Sequence, residues 1–175
     1  IKSGGGFMRP AIGDYAEYYQ KYIDLVKGDD IFRILVEQNM ESQNVLNSFS
    51  ESKGNYRYAE GKWTVKEVVG HIMDVERIFA YRALCIARGE TKPLPGMDQD
   101  MYVNNGNFNK RQLFDLNYEY RLLRESNILL FGGFDKSVLL NRGNASGYDV
   151  TVLALMFMTA GHEKHHLKIL MERYM

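Results

Sequence analysis

An all-α four-helix bundle with long crossover connections is the fold this sequence predicts, on three observations. Proline and glycine fall in blocks, at Gly4–Gly13, Gly54–Gly61, Gly89–Gly106 and Gly132–Gly147. Between the blocks run four proline-free stretches of about 20 to 25 residues with apolar positions at steps of three and four. Alternating β-branched runs of the kind a strand needs are scarce, which leaves helices to build the core.

The first helix is expected to start at Asp29 or Asp30, either of which can cap it, and to run to about Phe49. Its seam of Ile31, Leu35, Val45, Leu46 and Phe49 is apolar at both ends and weak in the middle. The second begins at Thr64, where Thr64 and Glu67 match the T-x-x-E capping box, and ends near Ala87, before Gly89. A third spans about Asn109 to Phe131 on Leu113, Leu116, Tyr120, Leu123 and Leu130. The fourth runs from about Thr151 to Tyr174, and a short extra helix fits Ile12–Tyr22. The connections 89–108 and 132–149 are long for a bundle, whose loops usually take about 2–8 residues. Connections of that length let helices cross over, and they often carry function.

Composition limits the function. The chain has 175 residues with 22 Lys and Arg against 22 Asp and Glu, a net charge of zero. That balance excludes a nucleic-acid binder working by bulk charge. No apolar run reaches the ~18 residues of a membrane-spanning helix. The one cysteine, Cys85, excludes an internal disulfide framework and suits a reducing cytoplasm. Residues 1–7, IKSGGGF, are expected to be an added leader with Met8 as the natural start. Residues 8–175 then form a single domain. No signal peptide follows Met8, so the expected location is cytoplasmic.

The four histidines carry the chemistry. His162 and His166 are four apart on one helix, so both project from one face about 6 Å apart. Two imidazoles at that spacing can grip one divalent ion. Val152, Leu155, Thr159, His162, His166 and Ile169 form one inward stripe of the last helix. Thr64, Val68, His71, Val75, Ile78 and Arg82 form the matching stripe of the second. His71, His162 and His166 therefore face the bundle interior together. Unpartnered, each buried ring would cost about 1–3 kcal/mol. A shared metal ion removes that cost, and hydrogen bonding to core neighbours is the competing explanation.

The remaining candidates are weighed on reach. His165 lies about 60° off the stripe and is expected to flank the site rather than ligate. Glu67 and Asp74, one turn either side of His71, are placed to orient its ring from behind. The capping box can equally occupy Glu67, and solvent can take Asp74. Glu163 points about 100° from His162 and is expected to face solvent. Cys85 stands about 21 Å along the helix from His71 and is expected to pack. Arg82, about 16 Å away, could meet a distal charge of a substrate but not a metal at His71. Met97-Asp98-Gln99-Asp100 suits a turn as well as a pocket lid.

The string Gly61-Lys-Trp-Thr-Val-Lys-Glu-Val-Val-Gly-His-Ile-Met-Asp-Val-Glu-Arg resembles the second-helix signature of the DinB-like (damage-inducible protein B) superfamily. Thr159-Ala-Gly-His-Glu-Lys-His-His-Leu-Lys-Ile-Leu resembles its last-helix signature, and Pro93-Leu-Pro-Gly-Met-Asp-Gln-Asp its connecting segment. The resemblance covers about residues 30–174. It implies a four-helix bundle with a divalent metal on three histidines, which fall on His71, His162 and His166. It also implies an enzyme similar to bacillithiol-type thiol-S-transferases, joining a low-molecular-weight thiol to a small electrophile.

Metal-dependent hydrolysis is the first alternative, and a non-catalytic metal- or ligand-binding stress protein the second. Three imidazoles suit zinc or nickel foremost among divalent ions, and the donor set does not choose between them. The expected partners are thus a small-molecule thiol and an electrophilic substrate, with no nucleic acid and no membrane. The aromatic segment near residues 15–22 could mediate a homodimer or pack on its own bundle.

Overall fold

The computed structural model describes residues 8–175 and carries the expected bundle; the leader expected at residues 1–7 lies outside the described residues. A 3-10 turn at Glu17–Tyr19 leads into the short helix α1 (Gln20–Ile23). The long helices are α2 (Ile31–Asn47), α3 (Val65–Ala87), α5 (Leu113–Gly132) and α6 (Val152–Arg173). Helix α4 (Gln99–Gly106) and the hairpin β1 (Arg142–Ala145) and β2 (Tyr148–Thr151) occupy the two long connections. Among the described residues no helix is long and apolar enough to cross a membrane.

Local chemistry explains most boundaries. Asp30 caps α2 by accepting from the Arg33 amide. At α3 both halves of the capping box form, Thr64 Oγ1 accepting from Glu67 N and Glu67 accepting from Thr64 N. Asp98 caps α4 through the Asp100 and Met101 amides, so the acidic string in that connection starts a helix. Helix α5 begins four residues later than its periodicity predicts, because Asn107 takes a left-handed φ of 52° and Phe108–Lys110 tightens into a 3-10 turn. The hairpin was not expected. Its turn is Ser146-Gly147, both with positive φ, the geometry that lets a two-residue loop follow the strand twist.

Helix α6 is the centre of the molecule. It packs on α1, α2 and α3, and every residue from Val152 to Glu163 is buried. A helix apolar on all sides is a core helix, and the run Val152-Leu-Ala-Leu-Met-Phe-Met is of that kind. Glu163 is therefore not at the surface, against expectation, because α2 and α5 cover that side of α6. The weak middle of the α2 seam is Gln38 and Ser42, both buried, and both donate to the Glu163 carboxylate. On α5 the buried stripe is Leu113, Leu116, Tyr120, Arg124, Asn127 and Phe131, more polar than expected. Leu123 and Leu130 are only half-buried.

Candidate metal centre

The three inward histidines meet between α3 and α6. His71 on α3 and His162 and His166 on α6 are all buried. His71 Nε2 lies 3.1 Å from His162 Nε2, and His166 Nε2 lies 3.1 Å from the same atom. One ligand nitrogen from each of the three falls within 4.8 Å of the others. Two nitrogens bound tetrahedrally to one ion at about 2.0–2.1 Å would stand about 3.3 Å apart, close to what is seen.

Hydrogen bonding alone leaves this cluster unsatisfied. A neutral ring nitrogen carries either one hydrogen or one lone pair. His162 Nε2 can therefore pair with only one of its two neighbours, which leaves the Nε2 of His71 or of His166 without a partner. The rings are held neutral, since burial foremost pushes His71 down to about 4 and the other two well below 6.5. Neighbouring ring charges add to the burial effect: His165 on His71, His166 and then His71 on His162, and His71 on His166. Three neutral imidazoles aimed at one point can hold a divalent ion, and no carboxylate or thiol of the described residues joins them.

Aromatic rings wall the cluster. Trp63 lies 4.7 Å from the His71 ring, Tyr22 5.5 Å from His162, and Phe79 6.2 Å from His162. Tyr22 reaches His162 because Gly161 lets α1 sit directly on α6. A Cβ at Gly161 would collide with the Tyr22 carbonyl. The aromatic segment thus packs on its own bundle, with Tyr15 and Tyr22 buried and Tyr18 exposed.

Of the flanking residues, His165 and Cys85 stand as expected, and Glu67 and Asp74 take the capping-box and outward alternatives rather than orienting His71. His165 stays outside the cluster, half-buried, its ring 5.0 Å from His166 and 5.3 Å from Tyr22. Neither Glu67 nor Asp74 orients His71, whose buried Nδ1 has no partner. The Glu67 oxygens are taken by the Thr64 amide at 2.8 Å and the Asn109 amide at 2.7 Å. Asp74 turns outward beside Arg77 at 3.5 Å. Cys85 is half-buried against the larger core group, as expected. Sequence reasoning missed the Trp63 and Tyr22 walls. Trp63 stands just before the Thr64 cap, and its aromatic type was the signal available.

The family model of the DinB superfamily matches residues 34–170. The chain belongs to the DinB superfamily. This DinB member shares its fold with YfiT from Bacillus subtilis, described as a probable metal-dependent hydrolase with an unusual four-helix bundle topology. The two are 16% identical, the match covers 95% of this chain and 91% of YfiT, and the TM-score is 0.73. Among curated proteins none matches this DinB chain significantly.

Proposed function

We propose that this DinB protein is a metal-dependent enzyme that holds one divalent ion, zinc or nickel, on His71, His162 and His166. The observation that carries the reading is the convergence of three buried histidines, with His162 Nε2 3.1 Å from both His71 Nε2 and His166 Nε2 and one ligand nitrogen of each within 4.8 Å of the others. Three protein ligands leave room for a further, exchangeable one, the pattern of catalytic rather than structural sites. Once bound, such an ion supplies Lewis acidity, lowering the pKa of a thiol or water that coordinates it.

Thiol transfer to a small electrophile is the lead reaction. Among the described residues no carboxylate joins the three histidines to serve as a base for water, and Cys85 lies about 21 Å along α3 from His71, which favours an external thiol as the nucleophile. Trp63, Tyr22 and Phe79 shelter the histidines from bulk water, and His165 stands at the edge of that shelter. Hydrolysis is the second reading, favoured by the description of YfiT.

The metal is tested first, on protein purified without chelator or nickel resin. One ion per chain is expected by elemental analysis, falling to trace levels in His71→Ala, His162→Ala and His166→Ala. Folded His71→Ala and His162→Ala proteins that both keep a full ion would overturn the assignment. The reaction is tested by mass spectrometry on metal-loaded protein given an electrophile and several cellular thiols. A thiol adduct that needs both partners and vanishes in His166→Ala is expected. Ester or amide turnover in water, indifferent to any thiol, would favour hydrolysis instead.

A further inference from the structure

The outward side of α5 is apolar where a surface helix is normally polar. Phe114, Tyr118, Leu122 and Leu129 are 73%, 48%, 45% and 77% exposed. At about 100° per residue they fall within about 80° of one another, a stripe along about 22 Å of the helix. Single apolar residues at a surface are ordinary, but a contiguous patch marks an interaction site. The inward side of α5 buries Leu113, Leu116, Tyr120 and Phe131, so the core does not use the stripe.

The patch continues onto α2, which packs beside α5. The two helices run antiparallel. Asn117 donates to the Leu46 carbonyl, while Arg124 lies level with Gln38, both meeting the Glu163 carboxylate. Val36, Met40, Gln43 and Asn47 share one row of α2 through their steps of four, three and four. Asn47 lies 3.4 Å from Asn117, so that row borders α5. Val36 and Met40 on it are exposed.

The charges in the stripe complement themselves. Arg121 and Glu125 lie within it, about half exposed and 3.7 Å apart. The Arg121 guanidinium also sits 5.0 Å from the centre of the Tyr118 ring. Within one chain an exposed pair of this kind contributes little. Across a two-fold axis it can be used twice, because an isologous interface brings the same surface together from both copies.

We propose that the outer face of α5, with the edge of α2 beside it, joins two copies of this chain about a two-fold axis. An axis level with Arg121 and Leu122 makes the two α5 helices antiparallel. Phe114 then stands level with the partner's Leu129, and Tyr118 with the partner's Glu125. Arg121 lies less than one turn from the partner's Glu125, on both sides of the axis. A parallel pairing instead sets like charges level with each other. The face is about 30 Å long and, with α2 some 8–10 Å beside α5, roughly 20 Å wide. About 600 Å² from each partner is at the low end of specific interfaces, which suits a reversible dimer of micromolar affinity. The histidines, between α3 and α6, take no part in it.

Sedimentation velocity on the full chain, from micromolar to hundreds of micromolar, tests the proposal. A concentration-dependent dimer is expected. Leu122→Glu alters an exposed side chain, so its helical circular dichroism should match wild type while its dissociation constant rises about ten-fold or more. Arg121→Glu and Glu125→Arg each place like charges across the axis and should weaken association similarly. An equimolar mixture of those two variants should dimerise with wild-type affinity. Each chain then meets the opposite charge across the axis, while the pairing within either chain stays lost. A wild-type chain that is monomeric throughout overturns the proposal. So does a dimer indifferent to Leu122→Glu, which assembles through another face, or a monomer that binds lipid vesicles through Leu122. A mixture no tighter than its components overturns the antiparallel axis.

Discussion

Arg124 is the side chain on which the polar layer depends. Its guanidinium grips Glu76 through Nε and Nη2, both at 2.8 Å, and reaches Glu163 at 2.7 Å. Burial, then the Glu76 carboxylate, push the Glu163 carboxyl well above its ordinary range, while Ser42 and Gln38 oppose them. Arg124→Met leaves two buried carboxyls facing each other without a cation. Losing one partner of a buried ion pair costs about 3–5 kcal/mol, and the denaturant midpoint should fall accordingly. A variant within about 0.5 kcal/mol of wild type would show that the layer is solvated. Tyr174 makes a second prediction at this scale. Its hydroxyl donates to the Trp63 carbonyl at 2.7 Å, and burial foremost, then Tyr58 and Glu67, raise its pKa to about 12. The folded pKa lies above the unfolded value near 10, so the stabilisation is whole below pH 10 and lost as pH rises toward 12. Melting curves between those pH values should therefore fall more steeply for wild type than for Tyr174→Phe.

Helix contacts decide how the site is held, and here Gly161 is the position to test. Gly161→Ala forces α1 off α6 at the Tyr22 carbonyl. Overpacking of this kind costs about 1–3 kcal/mol, and it also moves the Tyr22 ring away from His162. Thermal melts should show the loss of stability, and metal titration a weaker site. A Gly161→Ala protein with both properties unchanged would mean that α1 is not seated as described. The same helices show what the sequence could reveal. The Thr64–Glu67 capping box, the Asp30 cap and the His71, His162, His166 stripes were all legible, because each depends on residues close in sequence. Glu163 was not, since its surroundings come from Gln38, Ser42, Tyr120 and Arg124 on two other helices. Gln38 and Ser42 showed only as the weak middle of the α2 seam, and Tyr120 was read as part of the apolar seam of α5. The β1–β2 hairpin was missed because its strands are four residues each, and only the Ser146-Gly147 pair signals the turn. For Asp74 the sequence left both directions open, since helical spacing gives a side chain's row but not its partner, here Arg77.

Across the whole molecule the histidines stand where two core groups meet. Along α3, Val69, Ile72 and Met73 belong to one group and Val75, Phe79 and Ala83 to the other. Along α6, Phe157 and Ala160 belong to the larger and Leu167 and Leu170 to the smaller. Each group is built from side chains of several helices and exists without an ion. A zinc finger, by contrast, has no core of its own and unfolds when the metal leaves. Chelation of this protein should therefore leave its far-ultraviolet circular dichroism close to unchanged. The melting temperature should still fall, because an ion bound only by the folded state stabilises it by mass action. For metal at 100 to 1,000 times its dissociation constant that stabilisation is about 3–4 kcal/mol. In a domain of this length it corresponds to roughly 5–15 °C. Collapse of the helical signal on chelation would make the ion part of the fold and overturn the catalytic reading of the three histidines. A lower melting temperature with the helices intact leaves the ion free to exchange a ligand, as a reaction at the junction of the two cores requires.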